Sequence, residues 1–175
     1  VPIIIPVVDK KSIKHSTQFP IKIFHGWQQG REITKGNDIF DIALQKLKKN
    51  YQHRIEYKIV SGLPYDEYIK SFDDSQIFID QCYSQDCGVN ALLGMKDGKV
   101  VFGGFERDVK NYYKVKNDPM INSIPDANQI YKDLENLLLN PLEIQQYSLR
   151  AISFIKEFHS ESYVLNKYQK IWNDY

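Results

Sequence analysis

Two cations stand four residues apart in a glycine-bounded stretch, Gly30-Arg31-Glu32-Ile33-Thr34-Lys35-Gly36, just ahead of a segment with helical periodicity. Arg31 can fork two phosphate oxygens, and Lys35 can add a point charge. Glycines let a backbone approach a ligand closely. The start of the helix that follows carries partial positive charge, which also favours an anion. The stretch is a phosphate site, or it is a solvated loop whose Arg and Lys are incidental. It is not a Walker A loop, because GxxxxGK[ST] is absent. In either case Lys35 is expected to be exposed and to contribute little to stability.

A second stretch, Asp80-Gln81-Cys82-Tyr83-Ser84-Gln85-Asp86-Cys87-Gly88-Val89-Asn90, opens a short helix at Gly88. The N–H groups of Gly88, Val89 and Asn90 would point at whatever lies above them, and a diphosphate fits there. The alternative is an ordinary helix start capped by Asp86 or Ser84. Gly103-Gly104, leading to Glu106, permits either a tight turn or close approach to a ligand. His25 ends an apolar run, where its ring reaches a cleft or serves the structure. His15, His53 and His159 sit in a polar linker, at a strand start and at a helix end, and receive no chemistry. Cys82 and Cys87 are too few for a disulfide framework, and no zinc spacing exists. They read as reduced thiols, and neither a metal nor a cofactor is expected. No Ser-His-Asp or Cys-His pairing follows from the spacing.

These loops need a scaffold in which strands and helices alternate. Ile21–His25, Arg54–Val60, Gln76–Asp80 and Lys99–Phe102 read as strands. Gly36–Lys49, with Ile39, Ala43 and Leu47 on one face, reads as a helix, as do Tyr65–Phe72 and Gly88–Lys96. Residues 105–125 read as irregular, with a short strand at Met120–Ile124. Asp126–Leu139, Pro141–His159 and Ser160–Trp172 read as closing helices, with Asn140 as the cap of the second. This spacing predicts an α/β fold: a Rossmann-like parallel sheet with helices on both faces. Ligands of such sheets bind beyond the carboxyl ends of the strands, where the strand order reverses. The site is therefore expected on the loops after Phe24, Val60 and Asp80.

Composition sets the outer bounds. The 175 residues suit one domain, expected at residues 21–175 behind an N-terminal linker or edge segment, 1–20. Pro2 and Pro6 would break a central ladder in Val1–Val8. Net charge is +1, which leaves no broad pull toward nucleic acid or membrane. No apolar run is long enough to span a bilayer, and Val1–Val8 lacks the basic leader of a signal peptide. The opening VPIIIPVV, without an initiator Met, reads as cut from a longer, cytoplasmic protein.

In order and spacing, these loops resemble the C-terminal, donor-binding domain of retaining GT-B glycosyltransferases (group 1, family 4-like), which include many polysaccharide-building enzymes. The resemblance rests on GREITKG, Gly30–Gly36; on LLGMKDGKVVFGGFE, Leu92–Glu106; and on the closing helices, and it covers about residues 21–172. It implies that Arg31, Lys35, Gly88 and Val89 hold a donor diphosphate. It places Ser61 and Gly62 near the nucleobase, and Gln85, Asn90 and Glu106 near the donor sugar or ribose. The family uses a pair of glutamates at the sugar and the ribose; alignment on Gly88 and Met95 puts Gln85 and Leu93 there. Gln85 can still bond a hydroxyl, Leu93 cannot, and Asn90 lies one turn before Leu93.

The function so implied is transfer of a sugar, with retention, from a nucleotide sugar to a glycan or lipid-linked acceptor held by a missing N-terminal domain. The diphosphate leaves, and cations with helix amides stabilise its charge. The fragment alone is expected to be inactive, and the full-length protein to touch the inner face of a membrane peripherally. A GT-B sugar-nucleotide epimerase and a degenerate, non-catalytic domain are the rivals. A receiver-like or dinucleotide-binding domain lacks its clustered acids or GxGxxG.

Overall fold

The structure is a computed structural model and describes residues 2–6, 18–27, 30 and 32–174. Among these residues five strands form: β1 (Ile21–Gly26), β2 (Ile55–Val60), β3 (Ile77–Ile79), β4 (Val100–Gly103) and β5 (Ile121–Asn122). They pair in the order β2-β1-β3-β4-β5, and every pairing is parallel. The intervening helices are α1 (Glu32–Lys35), α2 (Asn37–Asn50), α3 (Tyr65–Asp73), α4 (Val89–Lys96) and α5 (Arg107–Tyr113). Three more, α6 (Ala127–Leu139), α7 (Leu142–Phe158) and α8 (Glu161–Asn173), close the chain.

Strand alternation separates two apolar cores. Ile21, Ile23, Ile77, Ile79, Val100 and Phe102 pack with Phe40, Leu44 and Leu47 of α2 and Ile130, Leu134 and Leu137 of α6. Phe24, Phe78 and Val101 point to the other side, among Phe72 of α3, Leu92 of α4 and Phe154 of α7. The sheet is thus covered on both faces, as a parallel sheet requires. The chain steps outward from β1 to β2, then crosses back over β1 to reach β3. Crossovers keep one hand, so this reversal sends α2 to one face and α3 to the other. It also opens a crevice between the carboxyl ends of β1 and β3.

Several local expectations change. Residues 107–113, read as irregular, form α5; its Tyr113 is buried against the second core, so tertiary packing supplies what a short, aromatic and β-branched sequence lacks. The expected strand at Met120–Ile124 shrinks to two residues. The glycine loop contains the four-residue α1, too short to show periodicity. Asn140 does not cap α7: its side-chain amide donates to Asn136 Oδ1 at 2.8 Å. Residues 2–6 form no strand. Ile5 is buried, its N–H donates to the His159 carbonyl at 2.9 Å, and His159 Nδ1 donates to the Ile3 carbonyl at 2.8 Å.

Candidate functional site

The crevice is a cleft of about 470 Å³ at the carboxyl ends of β1, β2 and β3. Gly26 and Trp27 line it from the end of β1, Val60, Gly62 and Leu63 from the end of β2, and Phe78 and Asp80 from β3. Lys35 enters from α1, Tyr68 from α3 and Asn90 from α4. The three loops singled out in the sequence therefore meet on one cavity.

Lys35 does not stand alone there. Its Nζ donates to Asp80 Oδ1 at 2.8 Å, and the side chains are only 12% and 3% exposed. The expectation of an exposed lysine with little bearing on the fold is overturned, because removing it would strand a buried carboxylate. The lysine is placed by the backbone around it. The Cys82 N–H donates to the Lys35 carbonyl at 3.0 Å, which ties the end of α1 to the loop after β3. Gly36 turns the chain from α1 into α2 at φ 71, and a Cβ there would lie 2.2 Å from Cys82 Sγ. Only glycine meets both demands.

Gly88 precedes α4 in an extended conformation and receives no side-chain cap, so neither Asp86 nor Ser84 caps this helix. Asp86 instead accepts from the Cys87 N–H at 2.7 Å. A Cβ on Gly88 would sit 3.9 Å from Asp80 Oδ2, so the helix start stands directly beside that carboxylate. Asn90 reaches the cleft, whereas Leu93, one turn on, packs into the second core. Gly62 lines the cleft while Ser61 beside it, Val89 and Gln85 are exposed outside its walls. Glu106 is exposed at the start of α5, its N–H donating to the Gln85 carbonyl at 3.0 Å. That bond and Gly104 settle the double-glycine question. A Cβ on Gly104 would lie 2.0 Å from the Ser84 carbonyl, so the close approach is to another loop of the chain. Arg31 lies outside the described residues.

His25 is a structural residue. It is fully buried, with Nε2 3.2 Å from Asn37 Oδ1 and Nδ1 3.5 Å from the Tyr57 hydroxyl, which donates to Asp41 at 2.9 Å. Burial lowers its pKa to about 4, against the opposing pull of the Asn37 hydrogen bond, so the ring is neutral. Both cysteines are free; burial pushes the Cys82 thiol up to about 11, and that of Cys87 is raised by burial and then by Asp86. Neither has a thiolate's reactivity. Among the described residues no cluster of His, Cys, Asp or Glu is arranged to hold a metal ion, and no helix is long and apolar enough to cross a membrane.

Sequence reasoning passed over Trp27, Tyr68 and Asp80 as cleft residues. Two of them carried a signal. An acid directly after the apolar run Ile77–Ile79 belongs at the carboxyl end of a strand. Tyr68 lies one turn before Phe72, which places it on the sheet-facing side of α3.

No protein-family model matches the sequence, and no curated protein matches it. Solved structures do match in fold. TarM superposes with a TM-score of 0.69 at 13% identity, covering 97% of this chain and 38% of TarM. A point mutant of S. aureus TarM, in complex with Fondaparinux, alpha-GlcNAc-glycerol and UDP, gives 0.63 at the same identity. The C-terminal domain of LpcC, a glycosyl transferase group 1 family protein from Francisella tularensis, gives 0.61 at 14% identity, covering 81% of this chain and 87% of that domain. The UDP-GlcNAc 2-epimerase from Neisseria meningitidis, bound to UDP-GlcNAc, gives 0.50 at 12%, covering 75% of this chain and 40% of the epimerase. The chain thus spans well under half of TarM and of the epimerase. Its five-stranded parallel sheet, strand order and flanking helices give it the fold of the C-terminal, Rossmann-like domain of GT-B group 1 glycosyltransferases.

Proposed function

We propose that this chain is the donor-binding half of a glycosyltransferase that moves a sugar, with retention, from a nucleotide sugar to a glycan or lipid-linked acceptor. The observation that carries the reading is the meeting of Lys35, Gly62, Asn90 and the start of α4 at one cleft beside the strand-order reversal. The acceptor would be held by chain outside these residues, and the full-length protein would work in the cytoplasm, at or near the inner membrane face. The donor diphosphate would lie across the Lys35 ammonium and the first N–H groups of α4, Val89 among them, with Arg31 closing on it. The helix N-terminus and the cation would take up charge as the diphosphate leaves, without a metal or a cofactor. Gly62, with Ser61 beside it, would pass under the nucleobase, and the Trp27, Leu63 and Val60 side chains would supply apolar wall. Asn90 would meet a ribose or sugar hydroxyl; Gln85 and Glu106 would reach the sugar only if their linked loops swing toward the cleft.

Calorimetric titration of the chain with UDP and GDP, and with uridine and guanosine, tests the donor site. Diphosphates should bind far more tightly than the bare nucleosides. Failure of every nucleotide to bind would refute the reading and favour a non-catalytic domain, to which the partial neutralisation of Lys35 by Asp80 lends support. Incubation of the longer protein with a radiolabelled nucleotide sugar then separates transfer from epimerisation.

A further inference from the structure

Among the described residues that line the cleft, one carboxylate occurs, Asp80, and among them only one of its two oxygens has a partner. Oδ1 takes the Lys35 ammonium. No described residue bonds Oδ2, which lies 3.9 Å from where a Cβ on Gly88 would stand. The side chain is only 3% exposed, yet it lines an open cavity. A carboxylate oxygen on the wall of an open cleft, with no described donor, is free to accept from a bound ligand.

The identity of that partner follows from charge. An incoming phosphate brings acceptors and negative charge, so it can satisfy Lys35 but is repelled by Oδ2. A group that donates a hydrogen bond and carries no charge suits Oδ2, and a sugar hydroxyl is such a group. The surroundings agree. Tyr68 and Asn90 line the same cleft. Burial, and then the charge of Asp80, raise the Tyr68 phenol above its ordinary pKa, so it stays a hydroxyl. Trp27 adds an aromatic wall beside these polar groups.

We propose that Asp80 is a specificity-determining residue whose Oδ2 accepts a hydrogen bond from a hydroxyl of the bound nucleotide sugar, either on the ribose or on the transferred sugar. This rests on the nucleotide-sugar reading of the cleft. It assigns to the cleft wall a carboxylate contact that neither Gln85 nor Leu93 can make.

The test compares ratios, because Asp80→Asn also removes a charge that repels phosphate and can tighten every nucleotide. Calorimetry with UDP, 2′,3′-dideoxy-UDP and UDP-glucose, and with the guanosine set, gives two ratios for each protein. The ribo-to-dideoxy ratio reports the ribose, and the ratio of sugar diphosphate to diphosphate reports the transferred sugar. In the unmodified chain one ratio should be roughly ten- to hundredfold, the worth of a charge-assisted hydrogen bond. In Asp80→Asn that ratio should fall toward unity. Equal ratios in the two proteins would overturn the assignment while leaving the donor site intact. Absence of any nucleotide binding would overturn both. Should Asp80→Asn fail to fold, Asp80→Glu keeps the ion pair but displaces the second oxygen, and the same ratio should collapse.

Discussion

Replacing Lys35 by alanine removes the partner of a carboxylate that is 3% exposed. At 2.8 Å, with an effective dielectric of about 20, two unit charges attract by about 6 kcal/mol. Desolvation of both ions cancels much of this in the intact pair, but the truncated variant retains the Asp80 desolvation without the attraction. Breaking a buried pair costs about 3–5 kcal/mol, and the lower end applies because Lys35 borders a solvated cleft. The expected loss is therefore about 3 kcal/mol, or roughly 6–12 °C in Tm for a chain of this size. Urea unfolding of Lys35→Ala, Asp80→Leu and the double variant Lys35→Met/Asp80→Leu gives the answer, because the double variant leaves no orphan charge and should recover most of the stability. The same Lys35→Ala protein, if still folded, should bind UDP or GDP at least tenfold more weakly, with no change for the bare nucleosides. A loss below about 1 kcal/mol, or a double variant no more stable than Lys35→Ala, would refute the argument that the pair is buried and coupled.

Gly36→Ala should destabilise by about 2 kcal/mol or more, through its φ of 71 and the overlap with Cys82 Sγ; Cys82→Ala should relieve only the steric part, as urea midpoints of the single and double variants would show. His25 makes stability pH-dependent. Its pKa lies at about 4 in the fold against 6.5 unfolded, so the unfolded chain binds the extra proton and stability falls as pH drops from 6.5 toward 4. Between pH 7 and pH 4.5 the unmodified chain should lose about 2 kcal/mol more than His25→Gln does, and equal losses in urea titrations would exclude a buried neutral ring. Asp126 accepts from the N–H groups of Asn128 and Gln129 at 2.8 and 3.2 Å, so Asp126→Ala should cost about 1 kcal/mol, with α6 exchanging its amide hydrogens faster.

Local chemistry in the chain was sufficient for the alternation of strands and helices. Apolar runs such as Ile77–Ile79 and the one-sided helix at Asn37–Asn50 carry their period in the residues themselves, and alternation at that spacing leaves a parallel α/β sheet as the economical solution. The glycine-bounded stretch carrying Lys35 before α2 and the helix start at Gly88 were legible as loop and helix boundaries for the same reason: glycine, cation and helix boundary are neighbours in sequence. What the sequence could not decide was which side chains already have partners. Lys35 and Asp80 are 45 residues apart, and their 2.8 Å contact exists only because β1 and β3 lie side by side. The Gly104 contact with Ser84, the burial that turns residues 107–113 into a helix, and the burial that keeps His25 neutral depend likewise on distant segments. Burial and pairing are properties of the packed chain, and a sequence read along its length carries residue types and periods but not the partners that neutralise them.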